Sequence, residues 1–255
     1  MGQPRTALVT GAGTGLGQAI AIALAQAGYD LALTDLTIGL LAETLAHPAI
    51  AKRKAIPVPL DLRFQEQIAA AFETARGGLG AIDVLVNNAG RALLKPVVDV
   101  TPDEWDDVFA VNVRGVYLVC RAFVPAMIDR GSGDVINLAS VSGKRPLARR
   151  TPYCASKMAV IGLTTTLAAE VGPLGITVNS LSPGPVRGPR MDRNMRLESQ
   201  RLGITVEEAT ERFVSRAALG RMLEEDEVGQ AVVAMLNMPG LHAADIDLSA
   251  GMVAR

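Results

Sequence analysis

The chain predicts an α/β fold built on a doubly wound parallel sheet of about seven strands. Three observations predict it. Short apolar runs alternate with longer helical stretches along nearly the whole sequence. The runs are apolar on both faces, as strands are when helices cover both sides of a parallel sheet. The first run ends in a glycine-rich turn that opens a helix.

Each element has its own signal. Residues 6–10 (TALVT) read as a strand, and 15–28 as a helix whose small residues Ala19, Ala23 and Ala27 let it lie close on the sheet. Residues 30–35 (DLALTD), 55–60 and 81–86 are the next strands, with a helix over 63–76. Thr101-Pro102-Asp103-Glu104 is a capping box with proline at the first helical position, and it opens a long helix reaching about residue 130. A strand over 134–138, a helix over 153–171 and a strand over 176–181 follow, and the chain closes with a helix over 227–236 and a strand over 245–248. The rhythm breaks over 183–220, an inserted helical excursion in which Thr205 and Glu208 cap a second helix. Residues 185–220 or so read as a substrate lid. No repeat, low-complexity tract or linker divides the chain, so residues 1–255 read as a single domain.

Composition removes several function classes. The net charge is −1 and the basic residues are scattered, so nothing draws the chain to nucleic acid. Two cysteines, Cys120 and Cys154, and two histidines, His47 and His242, offer neither a disulfide framework nor metal-ligand spacing, and no metal is expected. No signal segment precedes the first strand and no apolar run reaches bilayer length, so the expectation is a cytoplasmic protein with no membrane partner.

The turn after the first strand is TGAGTGLG, residues 10–17. Glycines there permit a tight turn and the close approach of a pyrophosphate, and the helix N-terminus behind them favours anions. Asp35 ends the second strand, where the adenine ribose of a dinucleotide would lie. Its carboxylate suits two ribose hydroxyls and repels a 2′-phosphate, and neither Thr14 nor Leu36 supplies a cation to hold one. The expected cofactor is NAD rather than NADP. Tyr153 and Lys157, four apart on one helical face, pair a phenol with an ammonium, which favours the phenolate and suits acid/base work. Ser140 stands thirteen residues upstream of Tyr153, at the end of a strand, where open α/β sheets place ligands. Cys154 has no histidine partner and reads as packing.

With NNAG at residues 87–90, Asn112, YCASK at 153–157 and Pro183-Gly184 added, the chain resembles the short-chain dehydrogenase/reductase family from Thr6 to the last strand. The resemblance implies a Rossmann-type fold and an NAD-dependent oxidoreductase interconverting a secondary alcohol and a ketone. It implies Tyr153 as general acid/base, Ser140 holding the substrate oxygen, Lys157 binding the nicotinamide ribose and tuning Tyr153, and Asn112 holding a water that links Lys157 to solvent. Gly11, Thr14, Gly15, Leu16 and Gly17 would cradle the pyrophosphate. Asp61 and Leu62 would contact the adenine side, Asn88, Ala89 and Gly90 would line the cofactor, and Pro183, Gly184 and Val186 would cover its nicotinamide end. A homotetramer built on the helices over 103–130 and 153–171 is also implied. Two departures stand out: Gly188 replaces the family's usual threonine, and DIDLSAGM (245–252) replaces its usual glycine pair.

The substrate reading comes from arginines. Lys144, Arg145, Arg149 and Arg150 lie between Ser140 and Tyr153, and Arg187, Arg190, Arg193 and Arg196 enter the excursion, with Arg193 and Arg196 on one helical face. An anionic hydroxy acid gripped by Arg150, three residues before Tyr153, is the sharpest expectation; solvated or inter-subunit charges are the plain alternative. A sugar or polyol dehydrogenase would share all but that grip. A 3-oxoacyl reductase fits poorly with Asp35, and a non-catalytic dinucleotide-binding scaffold has no use for Asn112, Ser140, Tyr153 and Lys157 together.

Overall fold

In the computed structural model, which describes residues 4–253, seven strands form one parallel sheet in the order β3-β2-β1-β4-β5-β6-β7. They are β1 (Thr6–Thr10), β2 (Asp30–Asp35), β3 (Ala55–Pro59), β4 (Val84–Asn87), β5 (Gly133–Leu138), β6 (Ile176–Pro183) and β7 (Asp245–Leu248). The order reverses between β1 and β4, so a crevice opens beyond their carboxyl ends, where this kind of sheet binds ligands.

Between the strands run α1 (Gly15–Gln26), α2 (Ala42–Ala46), α3 (Pro48–Ala51), α4 (Gln65–Leu79), α5 (Pro102–Phe109), α6 (Val116–Arg130), α7 (Thr151–Val171), α8 (Pro189–Leu202), α9 (Val206–Val214) and α10 (Glu225–Leu236). Alternation in β1 sends Leu8 into one core and Ala7 and Val9 into the other. The first core holds Leu85, Phe123, Met127 and Val178 beneath α4, α6 and α7; the second holds Ile20, Leu24, Leu33, Val228 and Val232 beneath α1 and α10.

The sequence reading needs three corrections. Ala19 and Ala23 do not face the sheet; that face of α1 is Ile20, Ala21, Leu24 and Ala25. Instead they receive α10: a Cβ on Gly229 would stand 2.6 Å from the Ala19 carbonyl oxygen and 3.0 Å from the Ala23 Cβ. Ala27 is exposed. Second, α2 and α3 were not expected, being short and without a clear apolar period. Third, the continuous helical stretch Pro102–Arg130 is long and apolar enough to cross a bilayer by length and composition, although no apolar run of that length was read from the sequence. Half of its most apolar stretch is buried in the protein, and the Thr101 capping box opens it as expected.

Candidate active site

The glycine turn leaves β1 and delivers the chain to α1. Gly17 has no room for a side chain, since a Cβ there would lie 1.9 Å from the Gly11 carbonyl oxygen. Loop and helix therefore touch backbone to backbone. The Thr14 hydroxyl does not cap α1, so the first-turn amides remain available for an anion. The Thr10 hydroxyl accepts the backbone N–H groups of Asn88 and Ala89, both at 3.0 Å. Asn88 returns its side-chain amide to the carbonyls of Thr10 and Gly11, at 2.9 and 3.1 Å. The ends of β1 and β4 are thus stitched together at the switch point, a role for Thr10 that sequence reasoning missed.

Asp35 stands at the rim of this crevice. Its carboxylate accepts N–H from Gly13 at 3.0 Å and from Leu36 at 2.8 Å, which orients it and leaves lone pairs for hydroxyl donors. Asp61 is more committed. The Arg63 guanidinium holds its carboxyl below the usual range, and Arg63 also reaches Asp107. Leu62 is buried in the core, so only its backbone can serve a cofactor.

Asn112 lies in a single π-helical segment, Ala110–Gly115, between α5 and α6. Such segments recur at functional sites. The Asn112 Oδ1 accepts the Arg91 N–H at 2.7 Å, and its Nδ2 donates to the Arg91 carbonyl at 2.8 Å and to Ser156 Oγ at 2.9 Å. It thereby clamps the segment after Gly90 to α7. A Cβ on Gly90 would sit 3.4 Å from Asn112 Oδ1 and 3.6 Å from Lys157 Nζ, so these three residues converge.

Lys157 Nζ donates to the Leu138 carbonyl at 2.6 Å and lies 5.9 Å from the centroid of the Tyr153 ring. Burial first, and the charge of Arg190 second, push this ammonium down to about 7. Ser140 is buried just past β5. Its Oγ accepts the Ser142 N–H at 3.1 Å, which leaves its own proton free to donate. Cys154 is buried and unpaired, in keeping with packing.

Beyond β6, Val186 bridges Leu223, and Arg187 N–H donates to the Leu223 carbonyl at 2.8 Å. The excursion is pinched shut at its base, just past Pro183 and Gly184. Gly188 has φ +148°, and a Cβ there would meet Glu225 Oε1 at 2.6 Å. The positive φ suits glycine, and a larger residue such as the family's usual threonine would be strained there and would displace the Glu225 carboxylate.

The basic residues sort into different fates. Lys144 is bound to Asp245 at 2.5 Å, and Asp245 also accepts from the hydroxyls of Ser180 and Ser182 at 2.7 and 2.9 Å. Lys144 is therefore spent, and the unusual last strand has a purpose in anchoring it. Arg187 pairs with Glu224, and Arg193 and Arg196 are exposed. Arg190 reaches toward the Gly90 carbonyl at 3.5 Å. Arg150 is half-buried, with no ion pair among the described residues.

The crevice fits a dinucleotide: an open helix N-terminus, a carboxylate at the rim, and a buried ammonium beside a tyrosine. Comparison with known proteins agrees. The family model for short chain dehydrogenase matches residues 5–200. A D-beta-hydroxybutyrate dehydrogenase of Rhizobium meliloti is 31% identical over 92% of this chain and 97% of its own. Among solved structures, an actinorhodin polyketide ketoreductase with NADPH is similar at a TM-score of 0.94 and 31% identity, covering 100% of both chains. An NAD+-bound xylitol dehydrogenase is similar at a TM-score of 0.90 and 28% identity, covering 97% of this chain and 98% of its own.

Proposed function

The chain belongs to the short-chain dehydrogenase family, an oxidoreductase that interconverts secondary alcohols and ketones with a nicotinamide dinucleotide, and from that premise we propose that it works with NAD and uses Tyr153 as its general acid/base. The observation that carries the proposal is the convergence of Lys157, Tyr153, Asn112 and Gly90 beyond the switch point of the sheet.

When bound, the nicotinamide ring supplies the hydride acceptor or donor. The pyrophosphate would rest on Gly11, Thr14, Gly15, Leu16 and Gly17, the adenine side on Asp61 and the Leu62 backbone, and the remainder along Asn88, Ala89, Gly90, Pro183, Gly184 and Val186. Lys157 would hold the nicotinamide ribose. In oxidation, Tyr153 takes the proton of the substrate hydroxyl. Ser140 donates its O–H to the same oxygen, and two donors facing one oxygen stabilise developing alkoxide charge. Lys157 passes the proton outward past the Asn112 clamp. Residues 185–220 act as a lid.

NAD is favoured over NADP by Asp35, whose charge opposes a 2′-phosphate. Calorimetry with both cofactors tests this. Wild type should bind NAD more tightly, and Asp35→Ser should erase most of that preference, by about tenfold or more. Equal affinities in the wild type would refute it.

Arg150 favours an anionic hydroxy acid as substrate, because a half-buried guanidinium without an ion pair among the described residues invites a carboxylate. The similarity to a xylitol dehydrogenase keeps a polyol as the second reading. We place the protein in the cytoplasm, consistent with the buried, unpaired Cys120 and Cys154, and as a homotetramer. Tyr117 on α6 and Met158 on α7 are apolar and exposed on the helices that would meet.

A further inference from the structure

Arg150 is not alone. Arg145 sits on the same segment, its N–H bonded to the Val141 carbonyl at 2.7 Å and its Nη1 to the Met252 carbonyl at 2.5 Å. Its guanidinium is therefore pinned rather than free. Close to it in the fold is Arg216, just past α9, whose guanidinium lies 5.9 Å from the centroid of the Phe213 ring. The neighbouring Ala217 packs in one small apolar cluster with Val141 and Met252, and Leu219 N–H donates to the Ala250 carbonyl at 3.0 Å. The lid end and the Ser140–Tyr153 segment are thus held against the same C-terminal turn, and each brings a guanidinium.

None of Arg145, Arg150 and Arg216 forms an ion pair among the described residues. The acid within electrostatic reach of Arg150 is Glu198, and its carboxylate is already bonded by Arg201. Burial first, and then the charges of Arg145 and Arg150, hold the Arg216 guanidinium below its ordinary range. Arg149 beside them has φ +64° and a buried Nε without a partner, so the segment carries backbone strain as well. Assembling like charges with no counter-ion costs stability, and the cost is recovered when an anion enters.

We propose that Arg145, Arg150 and Arg216 form one anion clasp spanning the substrate segment and the lid, and that the substrate carries an oxyanion group, a doubly charged one being held most tightly. The proposal deepens the hydroxy-acid reading given above and rests on it. Arg216, which sequence reasoning passed over, becomes a specificity-determining residue: an anion bridging the two walls cancels the repulsion between them. Guanidinium suits the task through its planar fork, which meets carboxylate or phosphate oxygens in pairs.

The test titrates inorganic phosphate by calorimetry into protein saturated with whichever dinucleotide it binds, so that the glycine loop is occupied. Wild type, Arg150→Gln, Arg216→Gln and Arg193→Gln are compared, the last changing an exposed arginine of α8 outside the clasp. One phosphate should bind per wild-type chain. Its affinity should fall about tenfold or more in Arg150→Gln and Arg216→Gln, stay unchanged in Arg193→Gln, and recover in part in Arg216→Lys. A melting temperature for each variant separates lost binding from lost fold, and Arg216→Gln carries the test even if Arg150→Gln does not fold. No wild-type binding at millimolar phosphate, or equal binding in all variants, overturns the clasp. In that case Tyr153-dependent turnover of neutral alcohols would show that the hydride-transfer reading stands without it.

Discussion

Lys157 is a buried ammonium that donates to the Leu138 carbonyl, and its burial lowers it from 10.5 to about 7. Between those two values the unfolded chain binds more protons than the folded one. Stability therefore climbs with pH across that window, and the penalty is whole below about 7. Lys157→Met removes the penalty. The cofactor-free variant should gain stability relative to wild type at about pH 6, and that advantage should shrink by about 1–4 kcal/mol by about pH 10, read from denaturant midpoints. A difference that ignores pH would mean the ammonium is well solvated in the folded protein. The residue scale is also where sequence reading is strongest and most selective. Tyr153, Lys157, Ser140 and Asp35 stand out by type and spacing. The Lys144–Asp245 pair and Arg216 do not, because their partners lie about a hundred and about seventy residues away along the chain and only folding brings them together.

At the element scale, buried parallel strands were legible as short apolar runs, as in β1, which is buried throughout, and the interior of β2, whereas β7 lies at the sheet edge and alternates aspartate with apolar residues. Helix ends with capping boxes were equally plain at Thr101 and Thr205. The π segment carrying Asn112 left no mark, since one extra residue in a helical turn does not disturb an apolar period enough to be seen. The small residues of α1 were visible, but not whether they met sheet or helix. Gly229 decides it, and it carries a prediction. Gly229→Val forces α10 away from Ala19 and should cost about 1–3 kcal/mol by chemical denaturation. Because α1 also presents the glycine loop, dinucleotide affinity should fall in the same variant. An unaltered midpoint would mean the two helices part without cost.

For the whole molecule, the sheet order places the crevice and the family supplies the reaction class, while substrate choice and assembly depend on surfaces that sequence patterning leaves open. Tyr117 and Met158 expose apolar area on helices whose inner faces are already buried. Light scattering should give about four chain masses for the wild type, and Met158→Glu should lower it. A wild-type monomer at micromolar concentration would contradict the assembly. The central claim is hydride transfer through Tyr153, and its most direct measurement is reduced-cofactor absorbance. Wild type and Tyr153→Phe are each supplied with NAD or NADP and with panels of hydroxy acids, sugars and polyols, and neutral cyclic alcohols. Turnover with NAD, led by hydroxy acids and reduced about a hundredfold or more in Tyr153→Phe while NAD still binds, is the expected result. Turnover that survives the loss of the Tyr153 hydroxyl, or tight NAD binding with no turnover on any panel, would contradict it.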